Sequence, residues 1–562
     1  MVAASFSLLL LIVLTSFHGK VLSSSFDHDF SYMKSVQNAT ELPLEEEYDY
    51  IVIGGGTAGC PLAATLSEKY SVLVLERGDV PESHPNVLSV AGFFANLMQE
   101  DDGNTPAQRF TSEDGVENVR GRVLGGTSML NAGFFSRADS DLFLSELGLD
   151  LDMDSVVKAY EWVEETVVSR PASLAVWQSA FKDALVEAGV GPDNGFTLDH
   201  VVGTKASGST FDDMGRRHGA VELLNRGDLN NLRIAVRATV ERVIFSRDQT
   251  SKNSNPSASG VVYTDSKGKS HTALVRRPCG EVILSAGTLG TPQLLLLSGI
   301  GPHDYLSSLN IPIIHSQPNV GKFMADNPRN NINLMIPFPL DPSPPQVAGI
   351  AADYYIETVS YTLPFTPTPS PFSLLTPSSS SAVSVATIAD KLSRPLSHGT
   401  LRLASPVDVK TSPLVRFNYF ENPADLAMCV GAVRKMGEML ETKSMDQFKY
   451  KDLKGSRGFL FAGPALPANQ SDDSAMEAFC KSSVTTFWHY HGGCLVGKVV
   501  DGDFRVMGTN ALRVLDGSTF RMSPGTNPQA TLMMLGRYIG LKMLSERREP
   551  YYNLVESQTE IY

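Results

Sequence analysis

Tyr48 to Glu76 reads YDYIVIGGGTAGCPLAATLSEKYSVLVLE, and the fold class follows from it. Tyr48 to Ile53 is a short β-rich run. It leads into Gly54-Gly55-Gly56-Thr57-Ala58-Gly59, then a helical pattern from Cys60 to Lys69 with small residues inward. Ser71 to Leu75 is a second strand, ending at Glu76 and followed by Arg77. Gly54, Gly56 and Gly59 stand in the G-x-G-x-x-G frame of a dinucleotide-binding βαβ unit. Gly54 makes the tight turn, Gly56 lets the backbone approach a pyrophosphate, and Gly59 lets the helix pack against the strand. Thr57 and Ala58 lie at the helix start, where free N–H groups and the positive dipole end favour phosphate. Glu76 is placed to accept hydrogen bonds from ribose hydroxyls. The expected class is α/β (α+β overall) with a Rossmann-like unit, and the motif alone does not separate NAD from FAD.

The bulk numbers agree with a large globular protein. At 562 residues the chain exceeds one ordinary domain. Its 42% hydrophobic and 19% charged residues suit a packed core. A net charge of −14 repels nucleic acid and anionic lipid, so neither is an expected partner. Phe6 to Leu14 is an apolar run broken only by Ser7, too short to span a bilayer. No Lys or Arg precedes it, yet residues 1–25 read as a signal peptide, which implies a secreted protein. No later segment reads as a membrane span. Asn38-Ala39-Thr40 and Asn469-Gln470-Ser471 are glycosylation sequons, making Asn38 and Asn469 candidate acceptors. The five cysteines have no CxxC spacing, so no metal centre is expected, and their odd number leaves a thiol free if the others pair within the chain.

Other segments specify the cofactor by resemblance. Arg120 to Ala138 reads RGRVLGGTSMLNAGFFSRA, and Gly287 to Gly301 reads GTLGTPQLLLLSGIG after the strand-like Glu281 to Ser285. Thr239-Val240-Glu241 follows the same pattern, as does Asp516-Gly517-Ser518 ahead of Asn527-Pro528-Gln529 and a helix through Tyr538. From about Tyr48 to about Leu544 these pieces closely resemble, in order, the glucose–methanol–choline (GMC) oxidoreductases, in particular the plant subgroup of mandelonitrile lyases and HOTHEAD-type proteins. The resemblance implies FAD. Val123, Gly126, Thr127, Ser128, Asn131, Ala132 and Gly133 would pass the flavin ring and pyrophosphate, and the backbone of Val240 would meet the adenine. Asp516, Gly517, Asn527, Pro528 and Gln529 would meet the ribityl chain and flavin. Some members hold the flavin covalently through a histidine in the first signature. Gly125-Gly126-Thr127-Ser128 has none, so noncovalent FAD is expected.

The flavin segments are dispersed over 45–140, 230–325 and 490–550. The intervening 141–229 and 326–489 are expected to form a substrate-binding domain of antiparallel sheet and helices. Arg247 to Gly260 reads as a polar hairpin tip. Pro337 to Pro377 reads either as a linker or, given Tyr354, Tyr355, Tyr361, Phe365 and Phe372, as a partly packed roof over a pocket. Cys429 and Cys480 stand where plant mandelonitrile lyases place a disulfide, which implies a bridge. The oligomeric state is not legible.

Near the C-terminus stands Thr486-Phe487-Trp488-His489-Tyr490-His491. Read alone, His489 is a core histidine with a structural partner. In the family frame it follows Trp488, faces the flavin, and acts as base, with Asn527 as its partner. A neutral imidazole, with an unperturbed pKa of about 6.5, is a suitable base for a hydroxyl proton. An amide donor can hydrogen-bond the developing alkoxide. His491 reads as a structural neighbour.

Two activities fit this frame. One is oxidation of a primary, aromatic or long-chain alcohol with hydride transfer to the flavin. The other is cleavage of a cyanohydrin into aldehyde and cyanide, as in the lyases, which use two histidines with a tyrosine and a cysteine nearby. The sequence departs from the lyases at three of those four places. Asn527 replaces the second histidine, Phe487 replaces the tyrosine, and no cysteine stands near Ile356–Glu357. These departures favour the oxidase. A secreted flavoprotein without catalysis is the third alternative.

Overall fold

The computed structural model describes residues 28–139, 149, 151–247, 254–365, 381–451 and 455–547. The signal peptide, the tip of the expected hairpin and residues 366–377 of the Pro-rich stretch, with Phe372, lie outside them. Strand Tyr50–Ile53 is central in a six-stranded sheet. It pairs in parallel with Val72–Leu75 on one side and Glu281–Leu284 on the other. Leu232–Val236 and Val36–Asn38 extend one edge, and Leu512–Val514 the other. The run read as one strand from Tyr48 divides, because Glu45–Tyr48 pairs instead with Ser270–Val275 in a separate four-stranded sheet.

Both faces of the parallel sheet are covered, which is why its central strands Tyr50–Ile53 and Val72–Leu75 are apolar at every position. Tyr50, Val52, Val72 and Val74 enter one core with helices Gly59–Ser67 and Gln529–Glu546. Ile51, Ile53, Leu73 and Leu75 enter a second core with the four-stranded sheet and helix Gly287–Leu297. The two helices of the first core touch closely through glycine. A Cβ on Gly536 would lie 2.5 Å from the Ala58 carbonyl oxygen, and one on Gly540 2.7 Å from Thr65 Cβ. The glycine loop is thereby held from behind by the C-terminal helix.

An eight-stranded, mainly antiparallel sheet forms the second layer system. Pro328–Ile336, Ser381–Leu392, Tyr354–Phe365 and Val347–Ile350 are adjacent in it. Alternation along these strands gives two unlike faces. Ile332, Ile356 and Ile388 face a core with helices Val176–Glu187, Pro423–Leu440 and Asp473–Ser483. Tyr355, Ala389 and Phe134 pack on the opposite face. Part of the Pro337 to Pro377 stretch is thus sheet rather than linker, since Val347–Ile350 and Tyr354–Phe365 pair within it. Two elements of the expected substrate domain instead join the nucleotide-binding layer. Helix Met153–Val167 buries Val156, Tyr160 and Val163, and segment Ala220–Arg226 buries Leu223 and Leu224, in the first core. Segment boundaries read from motif spacing missed this, because amphipathic patterns do not say which sheet they cover.

Cys429 and Cys480 form a disulfide between helices Pro423–Leu440 and Asp473–Ser483, across a sequence separation of 51. Cys60, Cys279 and Cys494 are free thiols. Closing a loop of this length restricts the unfolded chain, and the chain-entropy relation gives about 4 kcal/mol at 25 °C. The Cys429→Ser/Cys480→Ser double variant is therefore expected to unfold more readily by about that amount in denaturant titration. Unchanged stability would mean that the bridge contributes no constraint.

Candidate functional site

A cavity of about 650 Å³ opens at the C-terminal end of the central strands. Gly54, Gly56, Thr57 and Ala58 line it, as do Glu76 and Arg77. Gly54 has φ +98°, and a Cβ there would lie 2.4 Å from the Ser285 carbonyl oxygen. Gly59 is not on the wall; a Cβ on it would meet the Gly54 carbonyl oxygen at 2.1 Å, so it sets the packing of helix on turn. Gly126, at φ +60°, abuts Gly56, with its Cβ position 2.8 Å from Gly56 Cα. The two glycine signatures interlock, and any side chain there would enter the cradle or push it apart.

Glu76 is buried, and its oxygens accept hydrogen bonds from Gly78 N at 2.8 Å and Gly55 N at 3.1 Å. Part of its acceptor capacity therefore holds the turn. Burial raises its carboxyl above the usual range, against the pull of those backbone donors. Arg77 donates to Gln108 Oε1 at 2.6 Å and to the Gly121 carbonyl at 2.9 Å. Val240 is on the wall, as are Thr127, Asp516, Gly517 and Pro528. Asp516 accepts from Gly287 N at 3.0 Å and Ser518 N at 2.8 Å, so one carboxylate ties the C-terminal segment to the start of helix Gly287–Leu297.

Other expected contacts lie behind the wall. Val123 is fully buried in the first core. Ser128 Oγ donates to the Gly125 carbonyl and accepts from Ala220 N. Asn131 Nδ2 donates to Gln529 Oε1 at 2.7 Å, and Gln529 Nε2 donates to the Phe134 carbonyl at 2.8 Å. Gly133 N donates to Asn131 Oδ1 at 2.9 Å, with Ala132 between them. None of Val123, Ser128, Asn131, Ala132, Gly133, Asn527 or Gln529 lines the cavity. A motif indicates which segment approaches a ligand, but the local turn decides which side chains face it.

Trp488, His489, Tyr490 and His491 form another part of the wall. His489 N donates to Asp326 Oδ1 at 3.2 Å, and Tyr419 OH donates to Asp326 Oδ2. Burial pushes the Asp326 carboxyl up to about 6. Trp488 Nε1 and His491 Nε2 are buried without a protein hydrogen-bond partner, as suits a cavity shaped around a polar ligand.

Lys391, which sequence reading missed, is central to this region. It is fully buried, and its Nζ lies 3.5 Å from His489 Nδ1 and donates to the Thr526 carbonyl at 2.9 Å. One ammonium thus links the His489 segment to the residue before Asn527. Tyr355 OH donates to Asn527 Oδ1 at 3.1 Å, which turns the Asn527 NH2 toward Glu357. Glu357, two residues along the same strand and on the same face, is also buried. Burial pushes Lys391 down to about 7, opposed by Glu357 and Asp326, and burial raises Glu357. His489 is driven well below the usual histidine range by burial first, then by Lys391, His491 and Arg329. It is a neutral imidazole into acidic pH. The missed pair had a weak signal, a lysine in IADKL and a glutamate in YYIETV, each alternating with apolar residues. Only the register, with Tyr355 opposite Lys391, brings them to one site.

Comparison with known proteins gives three sets of likenesses. Residues 48–329 and 395–536 match the two family models described as GMC oxidoreductase. (R)-mandelonitrile lyase 1 of Prunus serotina is 53% identical, over 95% of this chain and 94% of that protein. Sinalpyl alcohol oxidase Nec3 of Nesocodon mauritianus is 52% identical, over 92% of each. The formate oxidase of Aspergillus oryzae superposes with a TM-score of 0.73 at 20% identity, covering 90% of this chain and 100% of that one, a likeness of fold.

Proposed function

The chain belongs to the GMC oxidoreductase family, an enzyme family whose cofactor here is FAD, and on that premise we propose that it oxidises a primary alcohol of aromatic or long-chain type. Near-equal identity to a lyase and an alcohol oxidase leaves the choice to the site residues. The observation that carries the oxidase reading is Asn527. Its amide, turned by Tyr355, stands where a lyase would offer a second imidazole.

Gly54, Gly56, Gly126 and Asp516 would hold the cofactor noncovalently, with Val240 at its adenine end, and their fit rests on the interlocked glycine cradle. Bound FAD would supply the hydride acceptor. His489 takes the substrate hydroxyl proton at Nε2. The tautomer with a free Nε2 lone pair points Nδ1–H at Lys391 Nζ, 3.5 Å away, and so goes with a neutral Lys391 amine, to which burial brings it by lowering its pKa to about 7. Asn527 stands just behind the cavity wall formed by Pro528, and its NH2 would have to turn past that wall to hydrogen-bond the developing alkoxide. Expected routing through the secretory pathway rests on the N-terminal apolar run and agrees with the disulfide. Asn469 is exposed and so is the better-placed of the two glycosylation candidates, whereas Asn38 Oδ1 caps Thr40 N.

One observation favours the lyase alternative. A departing cyanide needs a positive environment, and Lys391 next to His489, with Arg329 beyond it, can supply the cation that Asn527 does not. Anaerobic absorbance during titration with alcohols and with mandelonitrile separates the readings. The oxidase bleaches its flavin with an alcohol, whereas a lyase releases benzaldehyde from mandelonitrile with the flavin still oxidised. The Asn527→His variant is expected to gain cyanohydrin cleavage by roughly tenfold, about 1.4 kcal/mol of barrier. No gain would show that Asn527 is not what separates the two activities.

A further inference from the structure

A histidine and carboxylate cluster lies away from the cavity wall, between the first described residues and the shell of the flavin signature. His28 Nδ1 is 3.4 Å from Glu222 Oε1, and His218 Nδ1 is 2.9 Å from Glu222 Oε2. His218 Nε2 in turn faces Asp212 Oδ2 at 3.6 Å. The His28 side chain is 1% exposed and that of Glu222 11%. One ligand atom from each of His28, His218 and Glu222 falls within 4.8 Å of the others.

The arrangement frustrates a neutral His218. A neutral imidazole has one N–H and one lone pair. With a carboxylate at each nitrogen, the lone pair must face a negative oxygen. A second proton on His218 resolves this, and the hydrogen bond to Glu222 favours it against burial, with His28 5.7 Å away ring to ring. A divalent cation resolves it differently. It takes the Nδ1 lone pairs of both histidines and an oxygen of Glu222, and leaves His218 Nε2–H to donate to Asp212. That carboxylate–histidine–metal relay is how ligating histidines are commonly oriented. Two histidines and a glutamate are a recurrent zinc ligand set, with bonds of about 2.0–2.2 Å. Tetrahedral bonds of that length need ligand atoms about 3.4 Å apart; His28 Nδ1 to Glu222 Oε1 meets this, His218 Nδ1 is closer to the other oxygen, and the full set spans up to 4.8 Å, which small side-chain adjustments on binding would close. Arg216 Nε binds the same Asp212 Oδ2 at 2.5 Å and fixes that carboxylate.

We propose that His28, His218 and Glu222 form a divalent-metal site of zinc type, with His218 oriented by Asp212, that clamps the N-terminal segment onto the flavin-signature shell. The segment is already tied there by Tyr32 N donating to Asn225 Oδ1 and Ser35 Oγ donating to the Leu229 carbonyl. The shell is reached in one step. Arg217, next to His218 and buried, donates to the Ser128 carbonyl at 3.2 Å, to Asn131 Oδ1 at 3.0 Å and to the Asn131 carbonyl at 2.6 Å. The ligands are histidine and carboxylate, so the lack of CxxC spacing has no bearing on them.

The test uses untagged, flavin-loaded protein, stripped with EDTA and titrated with zinc sulfate at pH 7.5. One zinc per chain is expected to survive desalting, and a hundredfold excess over Kd is expected to raise Tm by at least about 2 °C. His28→Ala and His218→Ala should each lose both effects while keeping the flavin absorbance. Failure of the wild type to retain zinc overturns the proposal, as does equal retention by both variants. A Tm that rises only on acidification, without zinc, assigns the cluster to imidazolium pairs and overturns it too. Should the variants not fold, X-ray absorption of the zinc-loaded wild type decides. A shell of two nitrogens plus oxygen supports the site, and a sulfur or all-oxygen shell overturns it.

Discussion

His489→Ala is expected to lower turnover of the flavin-loaded enzyme at least about 100-fold, equivalent to about 2.7 kcal/mol of barrier. A positioned base contributes roughly 10²–10⁴-fold, and His489 is the wall histidine that follows Trp488 in the family frame, while His491 Nδ1 is engaged by the His489 carbonyl at 3.0 Å. The loss belongs in kcat, because alanine removes a proton acceptor used in the transition state and leaves the glycine cradle untouched. Flavin content and visible absorbance should therefore match the wild type. The pH profile of the unaltered enzyme adds a second check. Burial and the neighbouring positive charges lower the His489 pKa, so the imidazole stays unprotonated as pH falls. The acid limb of kcat should accordingly lie well below pH 6.5. A near-normal rate in the variant would remove His489 from the chemistry, whatever the family resemblance.

Lys391→Met should be the most damaging single change in the layer above the cavity, for two separable reasons. Lys391 is fully buried, and it faces Glu357 in the same dry region. Removing one partner of a buried charged pair leaves the other uncompensated, at a cost of about 3–5 kcal/mol in unfolding free energy. The lost donation to the Thr526 carbonyl adds to this. Adding Glu357→Gln to Lys391→Met should recover part of the loss, because it removes the stranded carboxylate. The catalytic signature is distinct. The Lys391 charge helps hold the His489 pKa down, so without it that pKa rises and the acid limb moves to higher pH. Unfolding in denaturant and a pH–rate profile on the same preparation measure both. A variant of wild-type stability with an unmoved acid limb would show that Lys391 is neutral and uninvolved.

The candidate site was unevenly legible in the sequence. Gly54 and Gly56 of the glycine frame, Glu76, Asp516-Gly517 and the Trp488-His489 pair were all readable, and each lines the cavity. Such residues are tied to local turns, so short-range pattern is enough to find them. Asn131, Ser128 and Gln529 were read as ligand contacts, but they hydrogen-bond one another's segments behind the wall. The same turn that brings a segment to the ligand also turns half of its side chains away.

The sequence by itself determined the doubly covered parallel sheet, because its strands are apolar on both faces and the glycine turn between the first two admits little else. It also carried enough family signature to identify FAD as the cofactor. Tertiary structure decided what surrounds the base. Lys391, Glu357, Tyr355 and Arg329 come from adjacent strands whose register is set by long-range pairing. It decided as well that helix Met153–Val167 covers the nucleotide sheet, and that His28 meets His218 across 190 residues of chain. Local pattern fixes which face of a strand or helix is apolar. Which charges end up buried together depends on contacts between segments far apart in the chain, and those contacts set the pKa of the group expected to do the chemistry.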